Sequence, residues 1–279
     1  MVRAVTNVPG IYEQGATATF ALASDPRFSF CLFVPARRVA SSLLVVVHGS
    51  YRSFQEHRDQ FAGFAEAEDC VVLAPLFPAG VRGDGNVDGY KYLLEGDIRY
   101  DLTLLAMVDQ VAARFALDAH RFGVVGFSGG AHFSHRLLIL HPSRLWGVSV
   151  GAPGSVTLLD DELGWWPGIR DAEVLFGITP DFGEMAKVPV QLVVGENDLD
   201  TTGIEHDPGS PNWLPGADRA GANRPDRLRA LHHSLAARGV SAEFEIVANV
   251  GHEAWPIFEA SKPFLARSLS TFRARGKKP

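Results

Sequence analysis

The chain has 279 residues, 46% of them hydrophobic and 21% charged, and carries a net charge of −6 with both signs dispersed along its length. That size and apolar content can bury a large core, and suits one α/β domain over 1–279 better than two small ones. The charge pattern has no basic stripe of the kind that follows a phosphate backbone, so nucleic acid is not an expected partner, and no apolar run is long enough to cross a bilayer, so neither is a membrane.

The opening decapeptide, Met1 to Gly10, lacks the apolar core of a secretory signal. The chain therefore reads as soluble and cytoplasmic, with secretion through a removed leader left open. Residues Ala16 to Leu22 alternate in polarity and Phe28 to Val34 are apolar, with Asp25-Pro26 as the turn between them, which predicts an antiparallel opening hairpin. Leu43 to Val47 is a continuous apolar run, as a strand buried on both faces requires, and it stops at His48-Gly49-Ser50. From Ser53, a candidate N-cap, to Glu68, the residues Phe61, Phe64 and Ala65 recur at helical spacing before a second buried strand, Cys70 to Ala74. Cys31 and Cys70, the two cysteines, both lie in apolar runs and read as reduced core thiols.

A glycine-rich loop, Gly80 to Gly89, leads to an amphipathic helix with Leu102, Leu105, Val108, Ala112 and Phe115 on one face. Strands are expected at Val124–Phe127, Leu145–Val150, Val188–Val194 and Ala242–Val247, and helices at Ala131–Leu140, Pro225–Arg238 and about Trp255 to Phe272. Alternation of this kind implies right-handed crossovers and a mostly parallel, doubly wound sheet of about eight strands with helices on both faces. Two long irregular stretches, Gly151 to Lys187 and Leu199 to Asn223, follow strand carboxyl ends, the edge where open α/β sheets bind ligands, and read as pocket or lid excursions.

Chemistry concentrates at Gly126-Phe127-Ser128-Gly129-Gly130, a G-x-S-x-G turn between a strand and a helix. Such a turn lifts the serine hydroxyl clear of the sheet, and small residues at its flanks let strand and helix pass closely. A serine is a poor nucleophile alone and needs a base, which needs a carboxylate to orient it. Of ten histidines, His252 in Asn249-Val250-Gly251-His252-Glu253 is best placed, just past the last strand. His132 and His135 lie on the helix leaving the turn and read as packing residues, His232 and His233 as surface-helix residues, and His48 as a backbone partner. Asp198 follows a buried strand and is the candidate acid, with Glu196 and Asp200 as rivals. A tetrahedral intermediate also needs N–H donors, for which Gly129 and the loop residues Ser50 or Tyr51 are candidates.

The order Ser128, Asp198, His252, with His48-Gly49-Ser50 after an early strand and GFSGG at the turn, resembles the α/β-hydrolase superfamily over essentially the whole chain. The stretches HGSYRS and VVLAPLFP are most similar to its esterase D and poly(3-hydroxybutyrate) depolymerase-like branch. The resemblance implies cofactor-free acyl transfer to water through a serine ester, on a small-molecule or polymeric ester. It does not carry the substrate across, and a peptidase, amidase or thioesterase would use the same groups. A dinucleotide-binding oxidoreductase is disfavoured because the turn lacks G-x-G-x-x-G spacing. A non-catalytic binding protein on the same fold is the remaining alternative.

Two side signals remain. Asp84-Gly85-Asn86-Val87-Asp88-Gly89 with Glu95 matches a calcium-loop pattern, but its flanks do not read as paired helices, so a turn-rich loop at the site mouth is expected and no metal or cofactor is assigned. Trp165, Trp166 and Trp213 fall in the long excursions, Trp255 follows His252, and Phe127 sits in the turn. All five are candidates for an apolar substrate pocket, and adjacent Trp165 and Trp166 before Pro167 are not expected both to be buried in regular structure, which suits a small lid or pocket wall.

Overall fold

The computed structural model describes residues 14–37, 42–210 and 212–276, so the expectation for Met1–Gly10 lies outside the described residues. Strands β1 (Gly15–Ala16) and β2 (Phe20–Ala21) both pair antiparallel with β3 (Ser29–Val34). The expected first strand of the hairpin is thus interrupted. Thr17 is the reason: its hydroxyl accepts the Leu32 N–H at 2.9 Å, a donor that a continuous strand would pair with a carbonyl.

Strand β4 (Ser42–Val47) is buried at every position, as its unbroken apolar run requires. The single helix expected after it divides into α1 (Phe54–Gln60) and α2 (Ala62–Glu68). Phe61 sits at the break with its ring fully buried against Phe258, centroids 5.2 Å apart, so packing takes precedence over helical continuity. Ser53 precedes α1, but its side chain makes no capping bond. Strand β5 (Cys70–Leu76) follows, then α3 (Gly89–Tyr92), a two-stranded ribbon of β6 (Leu94–Glu95) and β7 (Ile98–Arg99), and α4 (Tyr100–Phe115).

Of the expected α4 face, Val108 and Phe115 are buried and Leu105 and Ala112 pack at the core margin, but a small rotation centres the face on Leu104, Met107 and Val111 and leaves Leu102 47% exposed. Polar anchors cause the rotation. Tyr100 donates to the Glu95 carboxylate at 2.6 Å, and the fully buried Asp101 accepts from Arg99 and His141, so the first turn is fixed by groups that a hydrophobicity pattern does not count.

Strand β8 (Phe122–Phe127) runs into α5 (Gly129–Leu140), all of whose residues are buried. Strand β9 (Leu145–Gly151), short helices α6 (Ala172–Phe176) and α7 (Phe182–Met185), β10 (Val190–Gly195), α8 (Arg224–Ala237), β11 (Glu243–Val247) and α9 (Ala254–Gly276) complete the described chain. The sheet order is β1-β3-β5-β4-β8-β9-β10-β11, with β2 beside β3. Every pairing from β5 to β11 is parallel, and β3 joins antiparallel to β5. This is the mostly parallel, helix-wrapped α/β-hydrolase sheet that the sequence implies.

The chain leaves β4 toward β5 on one side and returns to β8 on the other. The carboxyl ends of β4 and β8, paired through Val47 and Gly126, therefore meet at the switch point of the sheet, where ligands bind in open α/β folds. The 199–223 excursion holds neither helix nor strand among its described residues, and Arg227 pins it. This guanidinium, 3% exposed, donates to the carbonyls of Gly221 (2.8 Å), Ile204 (2.7 Å) and Gly154, joining the two excursions at one point. Cys31 and Cys70 are both buried free thiols. No helix among the described residues is long and apolar enough to cross a membrane.

Candidate active site

Ser128 lies between β8 and α5 with φ 55° and ψ −117°, a left-handed conformation that aims its side chain out of the sheet edge. Only glycine fits at Gly126, because a β-carbon there would overlap the Gly130 carbonyl. The turn is tied down by the Ser128 N–H, which donates to the Gly151 carbonyl at 2.8 Å.

His252 arrives on the loop between β11 and α9. Its ring tilts over Phe127, centroids 4.5 Å apart, and its Nε2 lies 3.0 Å from Ser128 Oγ. Its Nδ1 lies 2.7 Å from Asp198 Oδ2. A carboxylate can only accept, so Nδ1 carries the proton and Nε2 presents its lone pair to the serine hydroxyl. Asp198 is 1% exposed, and its other oxygen accepts from Arg224 Nη1 at 2.9 Å. A buried carboxylate needs such partners, and here it has a cation and an imidazole.

The rival carboxylates do other work. Exposed Glu196 accepts from the Asn249 N–H at 2.9 Å and so holds the His252 loop. Exposed Asp200 accepts from the Thr202 N–H at 2.9 Å, a bond that holds its carboxyl below the usual range. Neither meets the imidazole.

Gly129 opens α5, where the first N–H groups have no intrahelical acceptor and the helix dipole is positive. Ser50 and Tyr51 follow β4 on a turn closed by the Arg52 N–H to the Gly49 carbonyl at 3.1 Å, and Tyr51 is 98% exposed. Arg52 clamps that turn, donating to the carbonyls of Ser50 (2.5 Å), Phe77 (3.2 Å) and Val87 (2.6 Å). His48 is wholly buried, with Nδ1 at 2.8 Å from the Gly49 carbonyl and Nε2 accepting from the Phe77 N–H at 3.0 Å. Burial pushes its imidazole down to about 3, so it stays neutral. His132 and His135 receive the N–H groups of Ser155 and Thr157 and fasten that segment to α5. His232 and His233 lie on α8, remote from this cleft.

These groups open into a cleft of about 760 Å³, whose wall mixes polar side chains with apolar surface from residues such as Tyr92, Phe127 and Ile204. Lys91, His132, His206, Ser210 and Asn212 line one side, and Glu56, His57 and Gln60 another. Burial pushes His57 and His206 down to about 4, so both are neutral hydrogen-bonding groups near pH 7. Of the expected aromatic pocket, only Phe127 lines the cleft. Trp165 and Trp166 are both buried, in a turn and not in regular structure, and stand behind the wall. Their indole N–H groups donate at 2.9 Å to the carbonyls of Tyr92 and Asn212, which draws the rings inward. Trp166 packs against the cleft residues Tyr92 and His206 at 5.4 and 4.7 Å. Trp213 packs on the core, and Trp255 is 58% exposed outside the cleft with Lys262 above its ring.

The 84–95 loop turns on its own side chains: Asp84 accepts from the Asn86 N–H and Asn86 from the Asp88 N–H. Asp88 pairs with Lys91 at 2.6 Å and with Asn212 at 2.9 Å, while Glu95 takes the Tyr100 hydroxyl. The carboxylates thus diverge, and among the described residues no three His, Cys, Asp or Glu side chains group to hold a metal. Sequence reasoning missed Arg224, Lys91 and His206. Arg224 opens α8 after the N-cap Asn223, a signal for a helix start but not for a bond to a carboxylate in a preceding loop.

No family model matches the chain, and no curated protein matches it in sequence. Solved structures match it in fold. A poly(aspartic acid) hydrolase-1 from Sphingomonas sp. KT-1 superposes with a TM-score of 0.74 at 16% identity, over 90% of this chain and 98% of that one. A poly(3-hydroxybutyrate) depolymerase from Bordetella parapertussis gives 0.71 at 21% identity, over 90% and 89%. An S-formylglutathione hydrolase from Agrobacterium tumefaciens gives 0.57 at 14% identity, over 87% and 89%.

Proposed function

We propose that this chain is a serine hydrolase that cleaves carboxylic esters through an acyl-enzyme. The observation that carries the reading is the unbroken hydrogen-bond line from Ser128 through His252 to Asp198, extended to Arg224, at the switch point of the sheet. Ser128 Oγ attacks the ester carbonyl as Nε2 of His252 takes its proton. The imidazolium that forms is stabilised by Asp198 and returns the proton to the departing alcohol. The N–H of Gly129, with that of Ser50 or Tyr51, receives the oxyanion. Water then repeats the sequence on the acyl-enzyme, with His252 again as base.

The wall chemistry narrows the substrate. With Lys91, Asn212, Ser210, His206, His57 and Gln60 around the cleft beside the apolar surface of Tyr92, Phe127 and Ile204, an ester that carries hydrogen-bonding groups as well as an apolar part fits the wall. The similarity to a poly(aspartic acid) hydrolase and a poly(3-hydroxybutyrate) depolymerase supports a second reading, in which the substrate is one end or loop of a polymer. A fluorophosphonate should label wild-type Ser128, read by peptide mass, and Ser128→Ala should abolish both labelling and turnover of a short activated ester. Turnover at the wild-type rate by Ser128→Ala overturns the proposal. A panel of esters and amides, small and polymeric and graded in polarity, distinguishes the two substrate readings.

A further inference from the structure

Tyr90 takes no part in the proton line, yet it touches both halves of the candidate oxyanion site. It is 1% exposed on α3. Its ring is held by His48 at 4.9 Å, by Phe77 stacked at 5.7 Å, and by the Arg52 guanidinium at 5.3 Å. Its hydroxyl donates to the His48 carbonyl at 3.4 Å, with the Ser50 side chain beside it. The same oxygen faces Gly129: a β-carbon at position 129 would overlap it, and would also stand 3.2 Å from the ring carbon that bears it. Gly129 has an ordinary negative φ, so its lack of a side chain answers to this approach and not to the backbone.

We propose that Tyr90 is a positioning residue for ester hydrolysis, its phenol a spacer that sets the distance between the Gly129 N–H and the Ser50–Tyr51 N–H groups. The proposal rests on the serine-hydrolase reading above. The logic is geometric. One donor rides on the start of α5 and the other on the loop after β4, and the hydroxyl contacts both chain segments. Burial pushes the phenol far above its ordinary value, so it remains a neutral hydroxyl throughout the working range. It does not line the cleft and so acts through its neighbours, not on the substrate.

Two donors must converge on one oxygen to within a few tenths of an ångström, and misplacement of about 1 Å costs on the order of 100-fold in rate. Tyr90→Phe keeps the ring and removes the spacer. The expected result is a kcat lowered by about 10- to 100-fold with KM within about twofold. Affinity for a boronic acid, which forms a tetrahedral adduct on the serine, should fall by the same factor. A residue that merely packs would leave that affinity unchanged relative to substrate binding. The second variant is Gly129→Ala, whose new methyl collides with the hydroxyl and should depress kcat severely in the wild-type background. In Gly129→Ala/Tyr90→Phe the overlap with the hydroxyl is gone and only the closer-than-usual contacts to the ring carbon (3.2 Å) and Lys91 Cε (3.1 Å) remain, so kcat should rise above that of Gly129→Ala alone. Wild-type kcat in Tyr90→Phe, or an equal effect of Gly129→Ala in both backgrounds, overturns the proposal. Labelling of wild-type Ser128 by a fluorophosphonate keeps that outcome distinct from failure of the underlying reading.

Discussion

Replacing Asp198 by asparagine tests the proton line at its least exposed point, and the structure specifies how the amide must sit. Arg224 Nη1 donates to Asp198 Oδ1 at 2.9 Å, and this guanidinium can only donate. In Asp198→Asn the amide oxygen therefore turns to Arg224, which leaves the NH2 facing His252 Nδ1. Two donors cannot share that 2.7 Å contact, so the imidazole moves its proton to Nε2 and loses the lone pair that Ser128 requires. Loss of the correct tautomer typically costs about 10⁴-fold in kcat, or about 5 kcal/mol of barrier, with KM changed little.

The same substitution leaves a buried guanidinium without its carboxylate, so a lower melting temperature is expected and activity should be assayed well below it. Initial rates on a short activated ester, with active sites counted by fluorophosphonate titration of the wild type, give the number. Adding Arg224→Met frees the amide to turn over, so the double variant should recover at least about tenfold in kcat over Asp198→Asn alone. If Asp198→Asn stays within tenfold of wild type, or Asp200→Asn loses as much, the assignment of the acid is wrong.

Two further outcomes follow from the packing. Gly126→Ala drives a methyl into the Gly130 carbonyl, where the backbone of both strand and helix must shift, and should destabilise by at least about 1–3 kcal/mol, read from the denaturant midpoint. An unchanged midpoint would mean that the turn is looser than described. Stability should also fall with acid. His48 and His57 are buried and pushed down to about 3 and about 4, whereas the unfolded imidazoles protonate near pH 6.5. Below about 6.5 the unfolded chain binds more protons than the folded one, so their contribution is present in full above that pH and each loses about 1.4 kcal/mol per unit as the pH drops toward the folded value. Urea titrations from pH 7 to 4.5 measure the slope, and His57→Leu should reduce it by about one proton; an undiminished slope refutes the assignment.

What could be read from the sequence was whatever a local pattern determines. The runs of β4, β8 and β10 end near where the sequence places them because both faces are buried, and Ser128 and Asp198 lie just past two of them, whereas His252 follows the largely exposed β11. The parallel direction of most strands follows from their alternation with helices. What was not legible depends on partners distant in the chain. Asp198 meets Arg224 across a loop with no repeating pattern, and Tyr90 meets His48 and Gly129 from a helix of only four residues. The face of α4 is rotated slightly from its apolar periodicity, exposing Leu102, because Tyr100 and Asp101 are fixed by polar bonds to Glu95, Arg99 and His141. Tryptophans in loops look like pocket walls, but Trp165 and Trp166 find carbonyl acceptors at Tyr92 and Asn212 and sit one layer back.

Arg227 and Arg224 belong to the same turn of α8, and this has a consequence for remodelling the protein. The first guanidinium binds the carbonyls of Gly154, Ile204 and Gly221; the second binds Asp198 and the Asp200 carbonyl. The segment that frames the cleft and the carboxylate that meets His252 are thus fastened to one rigid post. Exchange of the whole 199–223 segment would release the acid together with the wall. Selectivity is better redirected by replacing side chains such as Thr202 and Glu205, which line the cleft and accept no hydrogen bond from either guanidinium.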